Sequence, residues 1–221
     1  MSDIHVSYQW LQRGRGTSEL VRREAVATGA DGSPVAADDI FAQIANLKGM
    51  PHFADVRELR LEENGLADLT PLTSLNDIEV LHLAGNDIVE LSPLSSLVKL
   101  RILDLSRNPN LESLNHLSRL TALENLSIYQ TQVDDLEPIA HLSKLKVLNF
   151  SNTRVTDLAP LLQMASLCEV QLFEFGEIER GTDDWNIIVE LLSRQIRVDC
   201  HGVGRMVSAA TELRRRRRQD R

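Results

Sequence analysis

A pattern of apolar residues recurs every 22 or 23 residues through the middle of this 221-residue chain. Six units begin at Val56, Ile78, Leu100, Leu123, Leu145 and Leu167. Self-similarity at one short period is the signature of a repeat architecture, in which each unit packs only against its neighbours. We therefore expect a stack of similar units rather than a globule built around one central core.

The first half of each unit predicts a strand followed by a turn. Each unit follows the pattern L-x-x-L-x-L-x-x-N-x-I-x-D-L-x-P-L-x-x-L-x-x with small departures. Around L-x-L the apolar period is two, which predicts a short strand with both leucines turned inward. The polar column after the strand holds Asn64, Asn86, Asn108, Thr131 and Thr153. Because an amide both donates and accepts hydrogen bonds, we expect a ladder of these side chains that becomes thinner at the two threonines.

The second half of each unit predicts a tight turn on the opposite side of the stack. A residue that is able to cap a helical turn precedes the second leucine run in five units: Asp68, Glu90, Ser113, Asp135 and Asp157. Proline follows near the first turn in four of these units, where its missing N–H costs nothing. Only about ten residues remain for this side, which favours 3₁₀ or irregular turns over long helices.

This is the leucine-rich repeat pattern, and the 22-residue unit with its D-L-x-P-L segment resembles the internalin-like class of bacterial repeats. The segments LADLTPLTSL, VDDLEPIAHL and VTDLAPLLQM carry the resemblance, which covers five full units and a partial sixth in residues 56–175. The resemblance implies an α/β fold, a right-handed, horseshoe-shaped solenoid with a parallel sheet on its concave side. It also implies protein binding, because internalin-like proteins are typically protein binders.

The flanking segments predict caps for the two open ends of the stack. Residues 34–55 contain Ile40, Ile44 and Leu47 at helical spacing and predict a helical N-terminal cap. Residues 176–204 predict a C-terminal cap made of a helix at 183–192 and a strand at 196–200 that extends the parallel sheet. Residues 1–33 form an N-terminal extension with a possible hairpin, and residues 205–221 form an Arg-rich tail.

Motifs for catalysis and metal binding are missing from the sequence. It contains no phosphate-binding loop, dinucleotide fingerprint, zinc-binding HExxH, nucleophile elbow or EF-hand loop. The six histidines form no HxH or HxxxH pair, and Cys168 and Cys200 are interpreted as structural thiols. We therefore expect a non-enzymatic chain with no cofactor, no metal site and no small-molecule substrate.

The expected compartment is the cytoplasm, with export by another route left open. The N-terminus shows no basic segment followed by an apolar one, and no apolar stretch reaches the roughly 18 residues of a membrane span. Two cysteines far apart argue against a disulfide framework. Four lysines against 20 arginines favour a GC-rich, bacterial genome.

The outward positions of the predicted strands form the concave face, where side chains have no core to fill. Only nine residues of the chain are aromatic, and the register places Tyr129 and Phe173 on this face. An aromatic pair among uncharged polar residues is typical of a protein-binding hot spot. The predicted partner-binding residues are Tyr129, Asn149, Ser151, Gln171 and Phe173 at the centre, and Arg60, His82, Asp104 and Arg107 toward the N-terminal half. Alternatively, Phe173 packs under the C-terminal cap and Tyr129 is incidental.

The Arg-rich tail supports a second hypothesis. Its run Arg214–Arg218 could bind nucleic acid, an anionic membrane surface or an acidic partner, or it could be a solvated disordered end. The chain as a whole has a net charge of −8, so an acidic body carries this basic tail, which is not typical of a dedicated nucleic-acid domain. The sequence therefore predicts a monomeric adaptor, regulator or effector that binds a protein. Contact through the tail with nucleic acid or an anionic membrane is the alternative.

Overall fold

A computed structural model describes residues 57–176, 178–200 and 203–219. The predicted hairpin in residues 1–33 and the predicted cap helix in residues 34–55 lie outside the described residues.

Within these ranges, seven short strands form one parallel sheet in which each strand pairs with the next along the chain. The strands are β1 (Glu58–Arg60), β2 (Val80–His82), β3 (Ile102–Asp104), β4 (Asn125–Ser127), β5 (Val147–Asn149), β6 (Glu169–Gln171) and β7 (Arg197–Asp199). The register joins equivalent positions of consecutive units, for example Leu81 with Leu103 and His82 with Asp104. The open sheet advances by one strand per unit, as the 22-residue period predicts.

The opposite side of the stack is built from 3₁₀ helices, which confirms the expectation of tight turns. They span Thr70–Ser74, Ser92–Ser96, Asn115–Arg119, Glu137–Ile139 and Ala159–Leu162. The carboxylates of Asp68, Glu90, Asp135 and Asp157 each accept a hydrogen bond, 2.8 Å long, from the backbone N–H two residues later. The Ser113 hydroxyl accepts the equivalent bond at 3.2 Å. All five predicted capping residues therefore hold the start of a 3₁₀ helix.

The inward leucines of successive units form one continuous core that runs the length of the described stack. Leu72, Leu94 and Leu117, which occupy the same slot in three units, are each 0% exposed. Phe150 replaces an inward leucine and is also buried, and the ring of Phe175 packs edge-on against it with 6.4 Å between ring centroids. Because each unit buries its apolar surface against its neighbours, no unit holds a core of its own.

The asparagine column binds one unit to the preceding one through the backbone. The Asn86 side-chain oxygen accepts hydrogen bonds from the N–H groups of Asn64 and Leu66, both at 3.0 Å. Its amide nitrogen donates to the carbonyls of Leu61 and Leu83, both at 2.8 Å. Asn86 is 2% exposed, so its buried amide takes the place of water as a hydrogen-bond partner of these backbone groups.

The ladder becomes thinner toward the C-terminal units, as predicted. Asn108 donates to the carbonyls of Leu83 and Leu105 and accepts from the N–H of Ile88. The Thr131 hydroxyl donates to the Ile128 carbonyl at 2.8 Å, which lies in its own unit. A hydroxyl has one hydrogen and no second polar atom, so it cannot reach both units as an amide does.

We predict that Asn86→Ala lowers the free energy of unfolding by about 3 kcal/mol, because it leaves several buried backbone groups without a hydrogen-bond partner. Thr131→Ala should cost about 1 kcal/mol, the value of a single hydrogen bond. Urea unfolding followed by circular dichroism measures both variants. Equal losses would show that the asparagine does not join the units in the way the geometry indicates.

The C-terminal cap has the predicted helix and strand. Helix α1 (Asp183–Ser193) begins after Thr182, whose hydroxyl accepts a hydrogen bond from the Trp185 N–H at 3.2 Å. Ile188 and Leu191 on this helix are fully buried against the last repeat. Strand β7 pairs in parallel with β6, with Val198 opposite Val170, so the sheet continues into the cap.

The Arg-rich tail is helical, so the arginine run extends the helix that begins before it and is not a disordered end. Helix α2 spans Val203–Gln219 and packs against α1. Met206 and Ala210 are each 1% exposed, and Leu213 packs against the same core. These three residues have the i, i+4, i+7 spacing of an amphipathic helix, a signal that precedes the arginine run in the sequence.

Two arginines of the tail attach α2 to the end of α1. Arg214 donates to the backbone carbonyls of Leu192 and, at 3.1 Å, of Ser193, which belong to the last turn of α1. The Leu192 carbonyl also accepts from the Gln195 N–H at 3.1 Å, and carbonyls at the C-terminal end of a helix favour a nearby cation. Arg217 makes two hydrogen bonds to the Glu190 carboxylate, at 2.8 and 3.3 Å. Burial tends to raise the pKa of Glu190, but the hydrogen bonds from Arg217 and Arg194 outweigh it, so the net pKa is lowered.

We predict that the Arg214→Ala, Arg217→Ala double variant loses about 2 kcal/mol of stability, because it removes hydrogen bonds to helix-end carbonyls and a two-point ion pair. Arg215→Ala with Arg216→Ala is the matched control. Both of those side chains are more than 70% exposed and should cost less than about 0.5 kcal/mol. Thermal unfolding and hydrogen exchange of α2 measure the difference. An equal loss of stability in the two double variants would contradict the attachment of α2 to α1 by Arg214 and Arg217.

Candidate functional site

Four outward positions in each unit form the concave face. In the first unit they are Glu58, Arg60, Glu62 and Glu63, and the register gives their counterparts in the later units. The parallel pairing places equivalent outward residues side by side, so Asn149 lies between Ser127 and Gln171. The face therefore consists of four columns that cross the strands.

The small side chains of the third column are buried, because the chain begins to turn back toward the core there. Ala84 and Ser106 in this column are 6% and 8% exposed. Ser151, which was predicted to bind a partner, is likewise only 3% exposed. Its hydroxyl accepts a hydrogen bond from the Phe173 N–H, and its own N–H donates to the Asn149 side-chain oxygen, both at 3.0 Å. Ser151 is therefore not a surface residue, and it holds two of the predicted site residues in place.

Tyr129 and Phe173 are the large residues of this third column in the last three units. Tyr129 is half-buried between the slots of Ser106 and Ser151, whose small side chains leave space for a ring. Phe173 is 45% exposed, and the neighbouring Phe175 packs edge-on against Phe150. The two rings are thus separated by one unit on the same face.

The polar residues at the centre are held by short local hydrogen bonds. Asp104 accepts from the Ser106 N–H at 3.0 Å, and Asn149 does the same for Ser151. The Gln171 amide donates to the Glu169 carboxylate at 2.7 Å. Side chains that are already fixed lose less conformational entropy when they bind a partner.

The two arginines of the N-terminal half both pair with carboxylates. Arg60 lies 2.8 Å from Glu58 and 3.5 Å from Glu62. Arg107 reaches two units back to Glu63, with 3.0 Å between the charged atoms. The ion pair crosses Gly85, where an added Cβ would lie only 2.9 Å from the Glu63 side chain. Gly85 therefore leaves the gap that this long-range pair occupies.

The fourth column has a left-handed backbone in every unit. Its residues, with φ between 55° and 70°, are Glu63, Gly85, Arg107, Gln130, Asn152 and Glu174. A non-glycine residue in this conformation costs roughly 1 to 2 kcal/mol, which the surrounding hydrogen bonds must offset. The turn thereby fixes the direction in which this column presents its side chains.

The first column belongs to the same face, although none of its residues was among the predicted site residues. Its half-buried members Val80, Ile102, Asn125 and Val147 lie two residues before the second column in each strand. Extending the period-two alternation by two residues toward the N-terminus would have found this column. It adds a strip of aliphatic side chains, interrupted by one amide, beside the polar centre.

A ladder of charges lines the edge of the sheet where the strands begin. The Glu124 carboxylate lies 2.8 Å from Arg101 and 2.6 Å from Lys146, and Arg101 also approaches Glu79 at 3.7 Å. The hydrogen bonds from Arg101 and Lys146 lower the pKa of Glu124 from 4.5 to about 2. The four groups carry two charges of each sign, so this edge is electrically balanced.

The remaining titratable side chains do not assemble into a reactive cluster in the part of the chain that the structure describes. There, no group of three or more His, Cys, Asp or Glu residues has the geometry to hold a metal ion. His116 contacts Glu90 at 3.3 Å, and His141 contacts the Ser118 carbonyl at 3.0 Å. Cys200 is buried, and burial raises the pKa of its thiol. Among the described helices, none combines the length and apolar character needed to cross a bilayer.

The fold defines a class of protein. One strand per 22-residue unit, a parallel sheet in sequence order and 3₁₀ helices on the other side are the features of a leucine-rich repeat solenoid. Comparison with known proteins agrees, because residues 78–119 match the family described as Leucine Rich repeats (2 copies).

Two solved structures from Listeria monocytogenes are similar to this chain. Internalin C2 is 32% identical over 55% of this chain and 63% of its own, with a TM-score of 0.43. An internalin named inlF is 20% identical over 73% of this chain and 62% of its own, with a TM-score of 0.50. The chain thus matches less than two thirds of each internalin chain. A search of curated proteins gives no match.

The described residues thus have a leucine-rich repeat fold, which is similar to that of the internalin inlF.

We predict that Arg101→Ala raises the pKa of Glu124 from about 2 toward 4.5, because the variant loses the strongest hydrogen bond to that carboxylate. With a lowered pKa, the ion pair stabilises the fold above pH 4.5 and loses this effect as the pH falls toward 2. NMR titration of the Glu124 carboxyl carbon measures the shift. Arg154→Ala, an exposed change on a distant turn, serves as the control, and an unmoved titration in Arg101→Ala would disprove the assignment.

Proposed function

We propose that this chain is a non-enzymatic interaction module that holds a partner protein on its concave face. The observation that carries the proposal is the placement of Tyr129 and Phe173 on that face, one of them 45% exposed, in a column where other units have small or charged residues. Aromatic side chains contribute large contact area with few rotatable bonds and are enriched in binding hot spots.

The surroundings of the two rings also favour a protein partner. On β4 and β5 the outward residues are uncharged: Asn125, Ser127, Tyr129, Gln130, Val147, Asn149 and Asn152. Aliphatic groups next to amides and a phenol suit a surface that offers both apolar and hydrogen-bonding groups. A protein surface has this mixture, and the internalin-like fold is a scaffold of the kind used for such contacts.

The tail is a weaker candidate for the active part. Arg214 and Arg217 hold α2 against α1, and Arg215 and Arg216 pair with Glu212 at 3.9 and 3.2 Å. Deletion of residues 205–221 is not a clean test, since it would remove Met206 and Ala210 from the core of the cap. Substitution of the outward pair Arg215 and Arg216 leaves the cap intact and replaces the deletion.

We predict that the Tyr129→Ala, Phe173→Ala double variant loses partner binding by a factor of at least about 100, as expected for two hot-spot residues of about 2 kcal/mol each. The partner is first isolated by affinity purification with the wild-type chain and identified by mass spectrometry. Isothermal titration calorimetry with the purified partner then measures the loss.

Val89→Ala with Val98→Ala is the matched control, because it also removes two exposed apolar side chains, which are 59% and 51% exposed and lie outside the four columns. It should bind like the wild type, and circular dichroism verifies that both variants are folded. Unchanged binding in the aromatic double variant sinks the proposal. Loss of binding in Arg215→Ala, Arg216→Ala alone would transfer the function to the tail.

A further inference from the structure

We propose that the partner segment on the concave face is basic at its two ends and uncharged over the roughly four residues between them. The inference rests on the proposed function, since it names the chemistry of the segment that this face accepts. It is carried by the distribution of charge across the described strands.

Acidic groups stand on both sides of the uncharged strands β4 and β5. Toward the N-terminus, β1 to β3 present Glu62, Glu63 and Asp104 together with Glu58. Toward the C-terminus, β6, β7 and the turn after β6 present Glu169, Glu174 and Asp199. The two acidic zones frame a neutral window two strands wide.

The arginines on the described part of this face do not cancel the acidic zones. Arg60 and Arg107 pair with Glu58, Glu62 and Glu63 as described above. Arg197 on β7 pairs with Glu169 at 3.5 Å and with Asp199 at 3.0 Å. Seven carboxylates stand against these three guanidinium groups, so each zone remains net negative after its internal pairs are formed. A basic segment gains attraction at both zones, and an acidic segment is repelled.

The strand spacing sets the separation of the basic residues. From Asp104 on β3 to Glu169 on β6 is three strand spacings, or roughly 14 Å at about 4.8 Å each. An extended segment that crosses the strands covers this distance in about four steps of roughly 3.4 Å, so about three to four uncharged residues separate its basic ends. Its uncharged centre then lies over Tyr129, Asn149 and Val147.

The neutral window explains why a uniformly basic segment fits less well. A lysine or arginine placed over β4 and β5 would leave water for a surface that offers it no carboxylate, and such desolvation is costly without a partner. Amides, hydroxyls and aromatic rings match that surface instead. The proposed segment therefore combines two basic ends with a polar or aromatic centre.

Three synthetic peptides of identical length test this inference: KKNYNSKK, its acidic counterpart EENYNSEE, and KKKKNYNS, in which the basic residues are clustered. Each carries a fluorescent label, and fluorescence anisotropy measures its binding to the full chain. We expect KKNYNSKK to bind at least about tenfold more tightly than either of the others, and to weaken as salt is raised from about 0.05 to 0.3 M.

Charge reversal locates the binding. Glu62→Lys with Glu174→Lys changes one residue in each acidic zone and should weaken KKNYNSKK about tenfold. Glu112→Lys with Asp134→Lys changes the net charge equally at exposed positions outside the face, and should alter binding less than about twofold.

The inference is overturned if KKNYNSKK does not bind, if EENYNSEE or KKKKNYNS binds as tightly, or if both charge-reversed variants lose the same affinity. A natural partner that is lost in Tyr129→Ala, Phe173→Ala but retained at full affinity in Glu62→Lys, Glu174→Lys would uphold the proposed function and refute this inference alone.

Discussion

The stack depends on the hydrogen bonds that satisfy buried backbone groups between consecutive units. Apolar burial alone would allow leucine-rich units to slide past one another, since equivalent leucines are interchangeable. Asn86 prevents this, because its amide meets two N–H groups and a carbonyl of the preceding unit and one carbonyl of its own. An unpaired backbone group in that position would cost about 1 to 3 kcal/mol, so the amide sets the register as well as the stability.

Because the inward residues fix the register of the units, the exposed outward residues are free to differ between units. The inward leucines and the asparagine column are determined by packing, and the capping residues by the 3₁₀ helices. The exposed residues of the outward columns fill no core, so their departures from the repeat carry information. Tyr129 replaces a small residue in the third column, and β4 and β5 lack the charges that neighbouring strands present. Both departures fall on the same two units.

Much of the fold could be predicted because each unit repeats the same local sequence pattern. Period-two leucines predicted the strands, and Asp68 and its equivalents predicted the 3₁₀ caps. The candidate site was harder to predict, because exposure depends on the path of the backbone rather than on alternation. Ser151 alternates outward but lies where the left-handed residue Asn152 turns the chain inward, so it is buried. The role of Arg217 required knowledge that Glu190 lies opposite, 27 residues away.

The tail and the concave face have one electrostatic feature in common, which is that their arginines form ion pairs with carboxylates of the same chain. Arg217 is paired with Glu190 on α1, and Arg107 is paired with Glu63 across Gly85. A count of basic residues therefore overstates the positive surface of this molecule, because paired guanidinium groups attract a second anion weakly. Carboxylates outnumber guanidinium groups on the described part of the concave face, which is therefore net negative. The seven carboxylates and three arginines of the described concave face give it a net charge of −4, within a chain of net charge −8. Arg214 and Arg217 of the arginine run hold α2 against α1 at the end of the solenoid.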